Sequence, residues 1–199
     1  MGAIVFVGLG NPGKNYSLTR HNLGFLVVEE LARQLGMTLR EERSFCAAVA
    51  KGRWEGAPNT EIHLLLPLTY MNESGRAVRQ YVDYFKMVPS QVVVVCDDVA
   101  LELGQLRLRR RGSSGGHNGL WSVSTHLGTE GFLRLRIGVG SNMQEGQTLA
   151  DYVLSGFKTE ELATLDESIK RGAGVLKLLI TEPIAKVMSQ CNTKIRLGE

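Results

Sequence analysis

Four consecutive valines, Val92 to Val95, constrain the fold of this chain more than any other feature. Side chains alternate between the two faces of a strand, so an unbroken β-branched run has to be covered on both faces. A central strand with helices above and below it meets that requirement. The rest of the chain supplies the parts. Ile4–Val7 is a second short apolar run, stopped by Gly8. Leu23, Leu26, Val27, Leu31 and Leu35 recur at helical spacing from Asn22, and Gly36 ends the pattern. Phe45–Val49 and Ile62–Leu66 read as strands, with Gly56-Ala57-Pro58-Asn59 as the turn before the second. Val78, Tyr81, Val82 and Phe85 mark a helix that Asn72 could cap. Leu106–Arg109 alternates, which puts Arg107 and Arg109 on one face. A helix over Asn118–Leu127, a strand over Leu133–Val139 and helices over Leu149–Leu154, Glu160–Leu179 and Ile184–Met188 complete the pattern. No linker or repeat interrupts it. The expectation is one α/β domain over residues 1–199, its helices packed on a mixed sheet.

A chain of 199 residues buries roughly 70% of its unfolded surface, so it needs no covalent staples. Cys46, Cys96 and Cys191 are scattered and odd in number, which argues against zinc and against a secreted disulfide frame and fits a reducing cytosol. No apolar run approaches the ~20 residues needed to span a bilayer. The N-terminus lacks a basic segment and reads as a strand, not a signal peptide.

Charge is unevenly placed. Between Gln105 and Arg136 lie six arginines (107, 109, 110, 111, 134 and 136) against one acid, Glu130. That segment carries +5 of a net +3, so the remainder carries −2. A basic block on a near-neutral protein points to a polyanion; the alternative is a strand edge protected by charge.

Ligands of open α/β sheets sit at the carboxyl ends of strands. Gly8-Leu9-Gly10-Asn11-Pro12-Gly13 follows the first strand and is formally a dinucleotide fingerprint. Pro12 interrupts it, however, and the next helical pattern begins only near Asn22. Cys96-Asp97-Asp98 follows the valine run; its two acids could bind Mg²⁺, or one could orient a base. His21 follows the first strand, where Asp97 could fix its tautomer. No serine elbow is present, so water activated by His21 is the nucleophile that fits. Asn11, Asn22, Asn72 and Asn118 lie in loops or at helix starts, and their neutral amides can donate to an oxyanion.

Several motifs carry a resemblance: Val7–Tyr16, Thr19–Gly24, Pro67–Gly75, Gly115–Leu120, Arg134–Gly140 and Asp151–Phe157. In that order, across nearly the whole chain, they resemble the bacterial-type peptidyl-tRNA hydrolases. The resemblance implies a three-layer α/β/α domain with a mixed, mostly parallel sheet. It implies hydrolysis of the ester between a peptide and the terminal ribose of tRNA, recycling tRNA from aborted translation. The enzyme it implies is cytoplasmic and monomeric, with no metal, no cofactor, no membrane attachment and no obligate protein partner. By resemblance His21 is the base and Asp97 its partner. Asn11, Asn72 and Asn118 hold substrate, Met71 lines the peptide channel, Tyr16 meets the tRNA end and Asn22 acts through water. Arg107 and Arg109 occupy positions where basic residues meet tRNA phosphate, and Arg136 occupies a further family position.

The sequence departs from the family's usual pattern in places. Cys96 stands where an aromatic residue or histidine is usual, Val99-Ala-Leu-Glu-Leu103 replaces Leu-Asp-Leu-Pro, and Ser141-Asn142-Met143 replaces His-Pro-Gly. A non-catalytic RNA-binding module is the rival reading. His21 with Asp97 separates the two, because a binder has no need of a positioned base.

Overall fold

The computed structural model describes residues 2–193. Its seven strands are β1 (Gly2–Gly8), β2 (Arg40–Glu42), β3 (Ala47–Trp54), β4 (Ala57–Pro67), β5 (Val92–Asp98), β6 (Leu106–Arg109) and β7 (Leu133–Gly138). They form one sheet in the order β2-β3-β4-β1-β5-β7-β6. The four central strands, β4, β1, β5 and β7, are parallel. The three pairings outside them, β2 with β3, β3 with β4 and β6 with β7, are antiparallel.

The valine run behaves as its composition requires. Val93 and Val95 belong to the core on one face of the sheet, Val92 and Val94 to the core on the other, and all four are fully buried. The first face is covered by α1 (Leu23–Leu35), α5 (Leu162–Thr181) and α6 (Ile184–Asn192). The second is covered by α2 (Ser74–Tyr84) and α3 (Asn118–Leu127). A short α4 (Leu149–Val153) leads into α5. The layers are α/β/α.

Some boundaries move. Phe45 sits in a 3-10 turn and its strand starts at Ala47, because the chain passes through a left-handed Cys46. Ala57-Pro58-Asn59 belongs to β4, not to a turn; β3 and β4 form a hairpin in which Trp54 pairs with Ala57. Asn72 does not cap α2: it lies within the 3-10 turn Met71–Glu73, and Glu73 holds the cap position.

β1 lies between β4 and β5, so the chain leaves it toward one side of the sheet and leaves β5 toward the other. Such a switch point opens a crevice at the strands' carboxyl ends. The segment that enters α1 is pressed into it. A Cβ on Gly24 would collide with Val95 O and the Leu9 backbone, so only glycine lets α1 begin this close to β1 and β5.

Candidate active site

His21 reaches the crevice from the 3-10 turn Arg20–Asn22, and Asp97 reaches it from the end of β5. His21 Nδ1 lies 2.9 Å from Asp97 Oδ1. His117, just before α3, comes from the opposite face of the sheet and places its Nε2 3.0 Å from the same oxygen. The two imidazole centroids are 4.8 Å apart. All three groups are nearly enclosed, with side chains 11% (His21), 7% (His117) and 3% (Asp97) exposed.

The hydrogen bonds assign the protons. His117 Nδ1 accepts from Gly119 N–H at 3.1 Å and Leu120 N–H at 3.3 Å, which caps α3. Its proton therefore sits on Nε2 and is donated to Asp97. Burial pushes the Asp97 carboxyl up, but electrostatic attraction to the His117 and His21 N–H groups and the hydrogen bonds they donate outweigh it and hold the group far below the usual carboxylate range. An ionised carboxylate only accepts, so His21 Nδ1 donates as well. His21 Nε2 is left with its lone pair and takes no partner among the described residues.

His21, Asp97 and His117 also form the one group of three potential metal-ligating residues among the described residues, their ligand atoms within 4.8 Å of one another. Asp98 does not join them. Adjacent strand residues point to opposite faces, and Asp98 instead accepts from Ala100 N–H at 2.9 Å and from Arg136 at 3.2 Å. A Mg²⁺ site built on the Asp97–Asp98 pair is therefore not what this geometry offers.

Asn11, Tyr16, His21, Met71, Asn72, Asp97, Asn118 and Arg136 all border one cavity of about 600 Å³. Asn11 Oδ1 accepts from Met71 N–H at 2.8 Å. Asn22 is buried behind it: its Oδ1 accepts from Asn11 N–H and its Nδ2 donates to Asn11 O, both at 2.9 Å. This two-point clamp fixes the backbone of Asn11 and leaves the Asn11 Nδ2 donor for the cavity. The wall formed by Leu149, Ala150, Val153 and Leu154 is apolar.

The arginine block splits. Arg107 and Arg109 are exposed on β6, where Leu106 and Leu108 turn inward. They stand across from Arg136 and Arg134 on β7, so four guanidinium groups share one sheet face. Like charges directly opposite are unfavourable unless neutralised. Of the β7 pair, Arg136 is neutralised by Asp98, whereas Arg134 is satisfied by uncharged groups. Arg134 is buried over the Phe132 ring and donates to the Gly112 and Glu130 carbonyls. Arg136 binds Asp98 and donates to Ser113 O at 2.9 Å and Ser114 O at 3.0 Å. It thereby holds the Gly115-Gly116 corner, whose φ values of +61° and +83° suit glycine and bring the chain round to His117. The polyanion reading thus narrows to the exposed arginines 107, 109, 110 and 111, and Arg107 and Arg109 lie outside the cavity lining.

The sequence reading missed His117. Its signal was a histidine at the start of a helical pattern, between two glycines and Asn-Gly.

The peptidyl-tRNA hydrolase family model matches residues 5–197. Over 94% of its length the chain is 42% identical to the peptidyl-tRNA hydrolase of Shouchella clausii and 43% identical to that of Geobacillus kaustophilus, covering 98% of each. The crystal structure of peptidyl-tRNA hydrolase from Acinetobacter baumannii is 35% identical and superposes with a TM-score of 0.87, covering 96% of this chain and 95% of that one. With a matching family model over nearly every residue and relatives of this identity at full length, the chain belongs to the peptidyl-tRNA hydrolase family.

Proposed function

We propose that this protein hydrolyses the ester between a peptide and the terminal ribose of tRNA, with His21 as general base and Asp97 as its partner. The observation that carries the reading is the shared Asp97 oxygen, which accepts a hydrogen bond from His21 Nδ1–H and leaves Nε2 beside the cavity with no partner among the described residues. Water gives a proton to Nε2 as its oxygen bonds to the ester carbonyl carbon, and the carbonyl electrons move onto oxygen. Asp97 stabilises the imidazolium that forms. As the intermediate collapses, the bond to the ribose oxygen breaks and the imidazolium returns its proton to that oxygen. The products are a peptide acid and tRNA with a free ribose hydroxyl.

Asn11 Nδ2, anchored through Met71, and the Asn72 and Asn118 amides supply neutral donors to the substrate and the developing oxyanion. Met71 and Tyr16 contact the peptide and the tRNA end, and Asn22 acts through Asn11. Arg107 and Arg109 take phosphates, whereas Arg136 orders the turn that presents His117. No step requires a metal, a cofactor, a second subunit or another protein. The test is release of N-acetylated amino acid from an N-acetyl-aminoacyl-tRNA by the purified protein. Failure to release it, with the fold intact, overturns the proposal.

A further inference from the structure

Arg20 precedes His21, yet its side chain runs away from Asp97 and is 3% exposed. Its guanidinium carbon sits 4.6 Å from the centroid of the Tyr152 ring and 4.6 Å from that of Phe157. One terminal nitrogen reaches Glu161 at 2.7 Å and the other Val139 O at 3.2 Å, the same carbonyl that accepts from the Tyr152 hydroxyl. Its backbone N–H donates to Ser155 O at 3.0 Å, and Thr19 pairs with Gly156 in an isolated bridge. One residue thus ties the end of β7, the end of α4 and the turn before α5 to the segment that carries His21.

α4 needs such a tie. Five residues are too few to hold a helix on their own. Its core-facing Tyr152 is spent on Arg20, while Leu149 and the following Leu154 stay 48% and 42% exposed and, with Val153, border the cavity. Apolar side chains held open beside the His21 imidazole are unsuited to phosphate and suited to an aliphatic side chain. Lysine could not replace the contact: only a planar guanidinium stacks between two rings and forks to two acceptors.

We infer that Arg20 is a positioning residue that locks α4 to the His21 turn, and that the wall it locks receives the apolar side chain of the amino acid esterified to the tRNA. The substrate half rests on the hydrolase reading above. The test compares Arg20→Lys and the milder Phe157→Leu with the parent, first by backbone hydrogen exchange without substrate. Exchange over residues 149–157 is expected to rise about tenfold or more while α2 is unchanged. Steady-state kinetics then compare N-acetyl-leucyl-tRNA with N-acetyl-glycyl-tRNA. The variants should lose about tenfold in kcat/KM for the leucyl ester and less than about threefold for the glycyl ester, within the range an apolar pocket discriminates. The pH profile should not move, because the base and its carboxylate are untouched. Unchanged exchange overturns the locking role, and an equal fall for both esters overturns the wall's role. If the parent turns over neither ester, the hydrolase reading and the substrate half fall together, while exchange still decides what Arg20 holds.

Discussion

His117 Nε2 donates to Asp97 Oδ1 at 3.0 Å, the same oxygen that accepts the hydrogen bond from His21 Nδ1–H. The carboxylate therefore serves two imidazoles arriving from opposite faces of the sheet. His117 is also the cap of α3, so its two ring nitrogens link a helix terminus to the carboxylate beside the proposed base. The two roles separate by substitution. His117→Asn keeps a capping oxygen but cannot reach Asp97; His117→Ala removes both. Both variants are expected to lose activity together with the stability that the Asp97 contact supplies, and the alanine variant to lose about 1 kcal/mol more with the cap. Urea unfolding beside steady-state kinetics checks the pair. Equal stabilities would refute the capping account.

His21→Ala should leave the fold intact, because the enclosed ring borders the cavity beside His117 and belongs to neither hydrophobic core of the sheet. Turnover should fall by roughly 10²–10⁴-fold, the usual worth of a general base. Retention of more than about a tenth of the parent kcat would remove His21 from that role.

Asp97→Asn is expected to cost roughly 10³–10⁴-fold in kcat, since an amide stabilises imidazolium poorly and can hold the wrong tautomer. Its circular dichroism should match the parent. EDTA and added Mg²⁺ or Zn²⁺ should leave parent activity within about twofold. A strong dependence on either would instead make His21, Asp97 and His117 ligands of a metal.

Arg107→Ala with Arg109→Ala should raise KM for N-acetyl-aminoacyl-tRNA and leave kcat within a few-fold, because phosphate contacts serve ground and transition states alike. The slope of log binding constant against log salt should shrink by about 2, or about 1 per contact. An unchanged slope would leave the exposed pair as a charged strand edge and nothing more.

His63 gives the fold a pH dependence remote from the site. It is fully buried on β4, its Nδ1 2.8 Å from the Tyr81 hydroxyl and its Nε2 3.0 Å from Glu61. Burial lowers its pKa more than Glu61 raises it. As pH falls, the unfolded chain therefore takes up this proton first, from about 6.5 downward, and favours unfolding. The decline ends once the folded imidazole is protonated too. Thermal unfolding should show Tm falling as pH drops below about 6.5, and His63→Gln should flatten that fall. An equally steep fall in the variant would place the dependence elsewhere.

Local order was legible where neighbours in sequence decide it. The Val92–Val95 run required cover on both faces, and the helical spacing from Leu23 to Leu35 ended at Gly36 as the structure has it. Leu106–Arg109 alternates in burial as it does in sequence. Errors came where a single residue redirected the chain. The left-handed Cys46 delays β3, and the tight Trp54–Ala57 pairing draws the presumed turn residues into β4.

The sequence by itself determined the helices on both faces of a central strand and six of the seven strands, and it pointed to His21 and Asp97, because each depends on periodicity or on residue chemistry within a few positions; the exposed strand Arg40–Glu42 carries no apolar pattern to mark it. Tertiary structure alone decided that one oxygen of Asp97 serves both histidines, that Arg134 and Arg136 turn inward while Arg107 and Arg109 face solvent, and that Arg20 points away from the histidine beside it. Those outcomes turn on which distant groups meet. Residues 21, 97 and 117 come from three segments and converge only at the carboxyl ends of β1 and β5. A buried charge there is tolerable only with partners at hydrogen-bond distance, and it is the packing of the whole sheet that brings those partners within reach.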